Sequence, residues 1–175
     1  MVPGKIQTMP IDFTKRLRAR CRACGFTLVE LMVTLAVAAV LAMIAVPSFK
    51  RVLVSTNLSG INNDLAGDLQ YARTEAVSRQ VTVAVAASAG SWQNGWTVEI
   101  PPASSTGSAT VLRSHPTISA QYVLSSSAAD VTYNSQGTPA AASCFTISEQ
   151  TGQDSTPRYL QVSSSGMLQQ ATSCP

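Results

Sequence analysis

A chain of 175 residues with 45% hydrophobic and 12% charged side chains has room for one modest domain beside an extended element, which excludes a two-domain architecture. Its formal charge of +3 invites an acidic partner, yet six of the twelve Lys/Arg (Lys5, Lys15, Arg16, Arg18, Arg20, Arg22) precede residue 25. Beyond that point six Lys/Arg stand against eight Asp/Glu, so whole-chain charge is no argument for nucleic-acid binding.

In chain order, residues 1–25 form a basic leader. Cys21-x-x-Cys24 has the spacing of half a zinc site, but no second pair or histidine supports a metal, and none is expected. The residues before either cysteine are basic rather than apolar, which argues against a lipoprotein. Residues 26–46 follow, 21 positions with one ionisable side chain, Glu30, and two other polar ones, Thr27 and Thr34. As a helix this run measures roughly 31 Å, against about 30 Å for the hydrocarbon core of a bilayer. It reads as a membrane span. The basic cluster before it, compared with only Lys50 and Arg51 after it, places the N-terminus in the cytoplasm and the bulk of the chain outside. A carboxylate inside such a span is costly, so Glu30 marks function and calls for a partner.

Pro47 removes a backbone donor and ends or kinks the apolar segment. Helical periodicity then resumes: Phe49, Val52, Leu53, Leu58, Ile61, Leu65, Leu69, Ala72 and Ala76 recur mostly three and four apart, with charged and polar residues, Asp68 among them, filling the gaps. One helix from about residue 26 to 78 is expected, apolar in its first half and amphipathic in its second. From residue 81 the pattern becomes short β-type runs at 81–87, 96–100, 110–113, 118–124, 131–133, 144–148, 158–162 and 167–170, separated by turn signals. Asn94-Gly95, between Trp92 and Trp96, is the best hairpin candidate, because both residues tolerate positive φ. Residues 103–109 and 125–130, rich in Ser and Ala, read as loops. The fold class is α+β: a long N-terminal helix, transmembrane in its first half, packed on an antiparallel β-sheet domain.

Gly25 followed by Phe26-Thr27-Leu28-Val29-Glu30 and the apolar run resembles the processing site and N-terminal helix of type IV pilins and type II secretion pseudopilins. An ordinary signal peptide is cut after its apolar segment; here the cut suits the Gly25-Phe26 bond, before it. Residues 61–79, with Ala72-Arg73-Thr74-Glu75-Ala76-Val77-Ser78-Arg79, resemble the "L…ARSEAV.R" segment of the GspH/FimT branch, and Trp92-Gln93-Asn94-Gly95-Trp96 resembles its W-x-x-G-W element. Beyond residue 100 the resemblance is loose. It implies a type IV pilin-like fold with a cleaved leader at 1–25, an assembly helix at 26–47, an amphipathic continuation at 48–80 and a periplasmic β domain at 81–175. It also implies a non-enzymatic structural subunit without cofactor, processed by the prepilin peptidase at Gly25-Phe26. The subunit would meet the inner-membrane assembly platform and join other pilins or pseudopilins in a type IV pilus or a secretion pseudopilus. Glu30 would then register the subunit by meeting the α-amine of a neighbour's Phe26, which members of the family methylate. In a periplasmic setting Cys144 and Cys174 read as one disulfide, and such a C-terminal disulfide leans toward a minor pilin.

Other candidates have plainer readings. Arg73, Glu75 and Arg79 read as a solvated charge face, and Trp92 and Trp96 as hairpin and core packing rather than a stacking platform. His115, the only histidine, reads as a loop residue, with no G-x-S-x-G elbow or P-loop to make it catalytic. The alternative function is a DNA-binding minor pilin acting in uptake, which needs a cationic patch. The C-terminal region offers Arg158 alone, so nucleic acid is not expected as a partner.

Overall fold

The computed structural model describes residues 25–103, 107–152 and 155–174. The basic leader, including Cys21 and Cys24, lies outside the described residues but for Gly25. The chain divides into two compact units, Met1–Leu41 and Ala42–Pro175.

Helix α1 spans Leu28–Arg79 and continues through Pro47. It ends in the pattern expected when a residue steps into the left-handed region: Gln80 has φ of 55°, and the Val81 amide reaches back to the Ala76 carbonyl at 3.2 Å. Among the described residues eight strands follow: β1 (Val83–Ala87), β2 (Trp96–Ile100), β3 (Thr110–His115), β4 (Tyr122–Ser126), β5 (Asp130–Tyr133), β6 (Ser143–Glu149), β7 (Arg158–Val162) and β8 (Leu168–Ala171). They form two four-stranded sheets, ordered β3-β2-β1-β5 and β4-β6-β7-β8, and every ladder is antiparallel. The expected α+β class is therefore the one observed, with the β part split into two sheets.

The core of the second unit is laid down by residues on one stripe of α1 against both sheets. Val54, Leu58, Leu65, Leu69, Ala72 and Ala76 are buried, together with Val83, Val85 and Val98 from the first sheet and Phe145, Ile147, Leu160 and Val162 from the second. The sequence-based stripe needs correction at its beginning. Phe49, Val52 and Leu53 are exposed, and the buried line starts at Val54 and passes through the polar residues Asn62 and Asp68. Periodicity alone fixes that stripe only to within a neighbouring row of the helix, because rows three and four apart lie side by side.

Two β assignments also change. β1 and β2 do pair as an antiparallel hairpin around Asn94-Gly95, but through an eight-residue connection at 88–95 in which Trp92–Asn94 is a 3-10 turn and, of the two, only Gly95 has positive φ. Residues 118–121 lie outside β4, which starts at Tyr122, because this stretch is held by Gln93: the Gln93 side chain donates to the Ile118 and Tyr122 carbonyls at 3.3 and 2.9 Å and accepts from the Leu124 amide at 3.1 Å.

Candidate functional site

The N-terminal unit is organised by a helix cap. Gly25, Phe26 and Thr27 are non-helical, and the Thr27 hydroxyl accepts the Glu30 backbone N–H at 3.2 Å while the Thr27 carbonyl accepts from Leu31 at 3.1 Å. Thr27 is thus the N-cap of α1, in a T-x-x-E sequence, and its hydroxyl satisfies a donor that the first turn would otherwise leave open. It also sets an acid in the first turn, where the helix dipole favours negative charge. Sequence reading missed this cap, although its signature was in plain view. Gly25 and Phe26 stand open, with Phe26 73% exposed and nothing within 4 Å of where a Gly25 side chain would begin.

From Phe26 onward the apolar side chains have no cover. Leu28, Val29, Leu31, Met32, Val33, Leu35, Val37, Val40 and Leu41 are all more than half exposed, and the mean hydropathy of the best 18-residue window is 2.5 with none of it buried. So large an unsheltered apolar surface marks a membrane or another protein as its partner. Among its described residues the unit therefore offers one carboxylate, Glu30, on an uncovered apolar cylinder.

In the second unit the sequence-marked residues turn out to lock the sheets onto α1. Trp96 is fully buried on β2, and its indole N–H donates to Asp68 Oδ2 at 2.9 Å. Asp68 Oδ1 accepts from Arg113 Nη1 at 2.8 Å, and the Arg113 guanidinium lies 4.1 Å from the centre of the Tyr71 ring. The Asp68 hydrogen bond holds the Arg113 pKa above its ordinary value. His115 is no loop residue: it is the last residue of β3 and stacks on Trp96, ring centres 3.9 Å apart and 6° from parallel. Trp92 packs edge-on against Phe145 at 4.8 Å and donates to the Ala128 carbonyl at 2.8 Å. The intervening Gly95 has φ of 90°, and a Cβ there would stand 2.2 Å from the His115 carbonyl oxygen, so only glycine fits between the two tryptophans.

Arg73 departs from the expected solvated face. Its Nε donates to the Gly137 carbonyl at 2.9 Å and its Nη2 to the Ser165 carbonyl at 3.2 Å. Gly137 follows β5 of the first sheet and Ser165 lies between β7 and β8 of the second, so one guanidinium fork on α1 joins both sheets. Glu75 and Arg79 do form a surface pair one turn apart. Cys144 on β6 is bonded to Cys174, tying the chain's end to the second sheet. Among the described residues no group of three or more His, Cys, Asp or Glu is placed to hold a metal.

Against known proteins, residues 62–166 match the family model of the type II transport protein GspH, and residues 20–46 match the prokaryotic N-terminal methylation motif. Among solved structures, the type IV minor pilin FimU of Pseudomonas aeruginosa is 24% identical in two crystal forms. One covers 67% of this chain and 90% of its own with a TM-score of 0.55, and the other covers 62% and 88% with 0.52. The minor pseudopilin EpsH from the Type 2 Secretion System of Vibrio cholerae is 11% identical, over 67% of this chain and 95% of that one, with a TM-score of 0.51. At these identities the likeness is one of fold. No curated protein matches the chain.

Proposed function

The chain belongs to the GspH family of type II transport proteins and carries the N-terminal methylation motif, the combination of a minor pilin or pseudopilin, and from that premise we propose how its N-terminus works. It is a non-catalytic structural subunit, held in the inner membrane by a single pass with its β domain in the periplasm. The prepilin peptidase cuts it between Gly25 and Phe26, and the assembly platform then moves residues 26–46 from lipid into a bundle of like helices. Glu30 supplies the registration: an intramembrane carboxylate is tolerated when it meets a cation, and the new α-amine of a neighbour's Phe26, methylated or not, is a cation at the same depth. The observation that carries this reading is the wholly uncovered apolar helix bearing one acid in its first turn. The C-terminal disulfide favours a type IV pilus over a secretion pseudopilus as the destination.

A DNA receptor is disfavoured by how the cations are used. Arg73, Arg79 and Arg113 are engaged within the fold, which leaves only Lys50, Arg51 and Arg158 among the described cations, too few for a basic face that would follow a duplex. The test is Glu30→Ala in cells, with the protein quantified in sheared filaments and in inner membranes. Cleavage and insertion should stay intact while filament incorporation falls roughly tenfold, equivalent to ~1.4 kcal/mol of lost pairing. Undiminished incorporation would defeat the role given to Glu30.

A further inference from the structure

We propose that the groove between the start of the amphipathic half of α1 and the segment leading into β7 binds a phosphate-ester anion. Arg51, Val52, Ser55 and Thr56 from α1 face Ser155 and Thr156 across a space of about 460 Å³. Arg158, the first residue of β7, is half buried beside it and donates from Nη2 to the Ser55 hydroxyl at 3.3 Å. Two polar atoms here are shut off from solvent with no hydrogen-bond partner, Arg158 Nε and Ser155 Oγ.

An arginine Nε–H can only donate, and the guanidinium is charged at any accessible pH. Its buried donor therefore calls for an acceptor oxygen. Neither Arg51 nor Arg158 forms an ion pair among the described residues, whereas Arg79 pairs with Glu75 and Arg113 with Asp68. A water would satisfy that donor but leave the half-buried Arg158 charge without a counter-ion. An oxyanion answers both: Arg51 and the hydroxyls of Ser55, Thr56, Ser155 and Thr156 line the groove, Arg158 joins it through Ser55, and the set suits the several oxygens of a phosphate. The sequence showed Arg158 as a solitary cation; the fold brings it against the same turn of α1 that carries Arg51.

Location points to the source of that phosphate. Arg51 lies five residues beyond Val46, about 7–8 Å along the helix, within the polar layer of a bilayer whose total thickness exceeds its hydrocarbon core by some 10–15 Å. Phe49, Val52 and Leu53 are exposed around it, an apolar surface suited to glycerol and acyl carbons. The depth argument rests on the membrane reading above; the chemistry of the groove does not.

The full-length chain is reconstituted in phosphatidylcholine nanodiscs doped with phosphatidylglycerol, and lipids retained on the released protein are counted by native mass spectrometry. In parallel, the chain in neutral detergent is titrated with inorganic phosphate against chloride at equal ionic strength while thermal unfolding is followed. Retention of phosphatidylglycerol over phosphatidylcholine, reduced about tenfold by both Arg158→Gln and Arg51→Gln but not by Arg79→Gln, supports the site with a lipid headgroup as ligand. Stabilisation by inorganic phosphate that the same two variants abolish supports it with a soluble phosphate as ligand. The exposed Arg51 keeps the test valid even if Arg158→Gln unfolds. Equal lipid retention and no phosphate-dependent stabilisation in wild type and variants would overturn the proposal. Failure to enter nanodiscs, with the phosphate response preserved, would count against the membrane reading instead.

Discussion

Replacing Asp68 by alanine removes the acceptor on which the first sheet hangs from α1. Trp96 has no exposed surface, so its indole N–H, now donating to Asp68 at 2.9 Å, would be stranded without water or protein to take the bond. A stranded buried donor, added to the loss of a bond to a charged acceptor, costs about 2–3 kcal/mol. Arg113 is half exposed and rehydrates, so it adds nothing to this figure. For a folding unit of ~130 residues, with an unfolding entropy near 0.27 kcal/mol/K, the loss lowers Tm by about 9 °C. Asp68→Asn keeps an oxygen for Trp96 and should cost ~1 kcal/mol or less. The assay is urea unfolding of the full-length chain in detergent, read by tryptophan fluorescence, since both tryptophans lie in this unit. Asp68→Ala within about 0.5 kcal/mol of wild type, or Asn as damaging as Ala, would refute the reasoning.

Three further outcomes are expected. Burial pushes the Tyr133 phenol up to about 12, opposed by the nearby Arg73 charge, and its hydroxyl has no partner. Unfolding then releases a phenol that ionises near 10, so stability is full below about pH 10 and falls by on the order of 2 kcal/mol toward pH 12. Tyr133→Phe should flatten that alkaline slope at no cost near neutrality, and an unchanged slope would contradict the assignment. Arg73→Ala should cost ~1–3 kcal/mol and speed amide exchange in the turns around Gly137 and Ser165 together; Arg73→Lys should rescue poorly, because an ammonium cannot reproduce the fork. Cys174→Ser opens a loop of about 31 residues and should cost on the order of 3–4 kcal/mol in denaturant, with early proteolysis of the end beyond β8; wild-type resistance would argue that packing alone holds that end.

How far the sequence carried varied with the kind of signal. The Gly25 to Glu30 pattern, the apolar run and the α+β order are written locally, in composition and period, and they were legible. The division of the strands into two sheets was not, because no local pattern says which strand β4 or β5 will pair with. Asp68 looked like a solvent residue among other charges; only the tertiary placement of Trp96 and Arg113 makes it a buried acceptor. Arg73 was misread for the same reason, its acceptors lying 64 and 92 residues away. The hairpin at Asn94-Gly95 forms with a longer connection than a tight turn, because a 3-10 turn capped by the Ser91 hydroxyl sets Trp92 against Phe145. Phe49, Val52 and Leu53 fit the period of the core stripe and yet lie outside it, next to the groove proposed to hold phosphate.

The most direct measurement is photo-crosslinking from positions 28–40 in intact membranes, with the partners identified by mass spectrometry. The account predicts adducts whose other half is the N-terminal helix of another pilin-like subunit, on a protein whose first residue is Phe26. Adducts to lipid alone, on a chain still carrying residues 1–25, would contradict it.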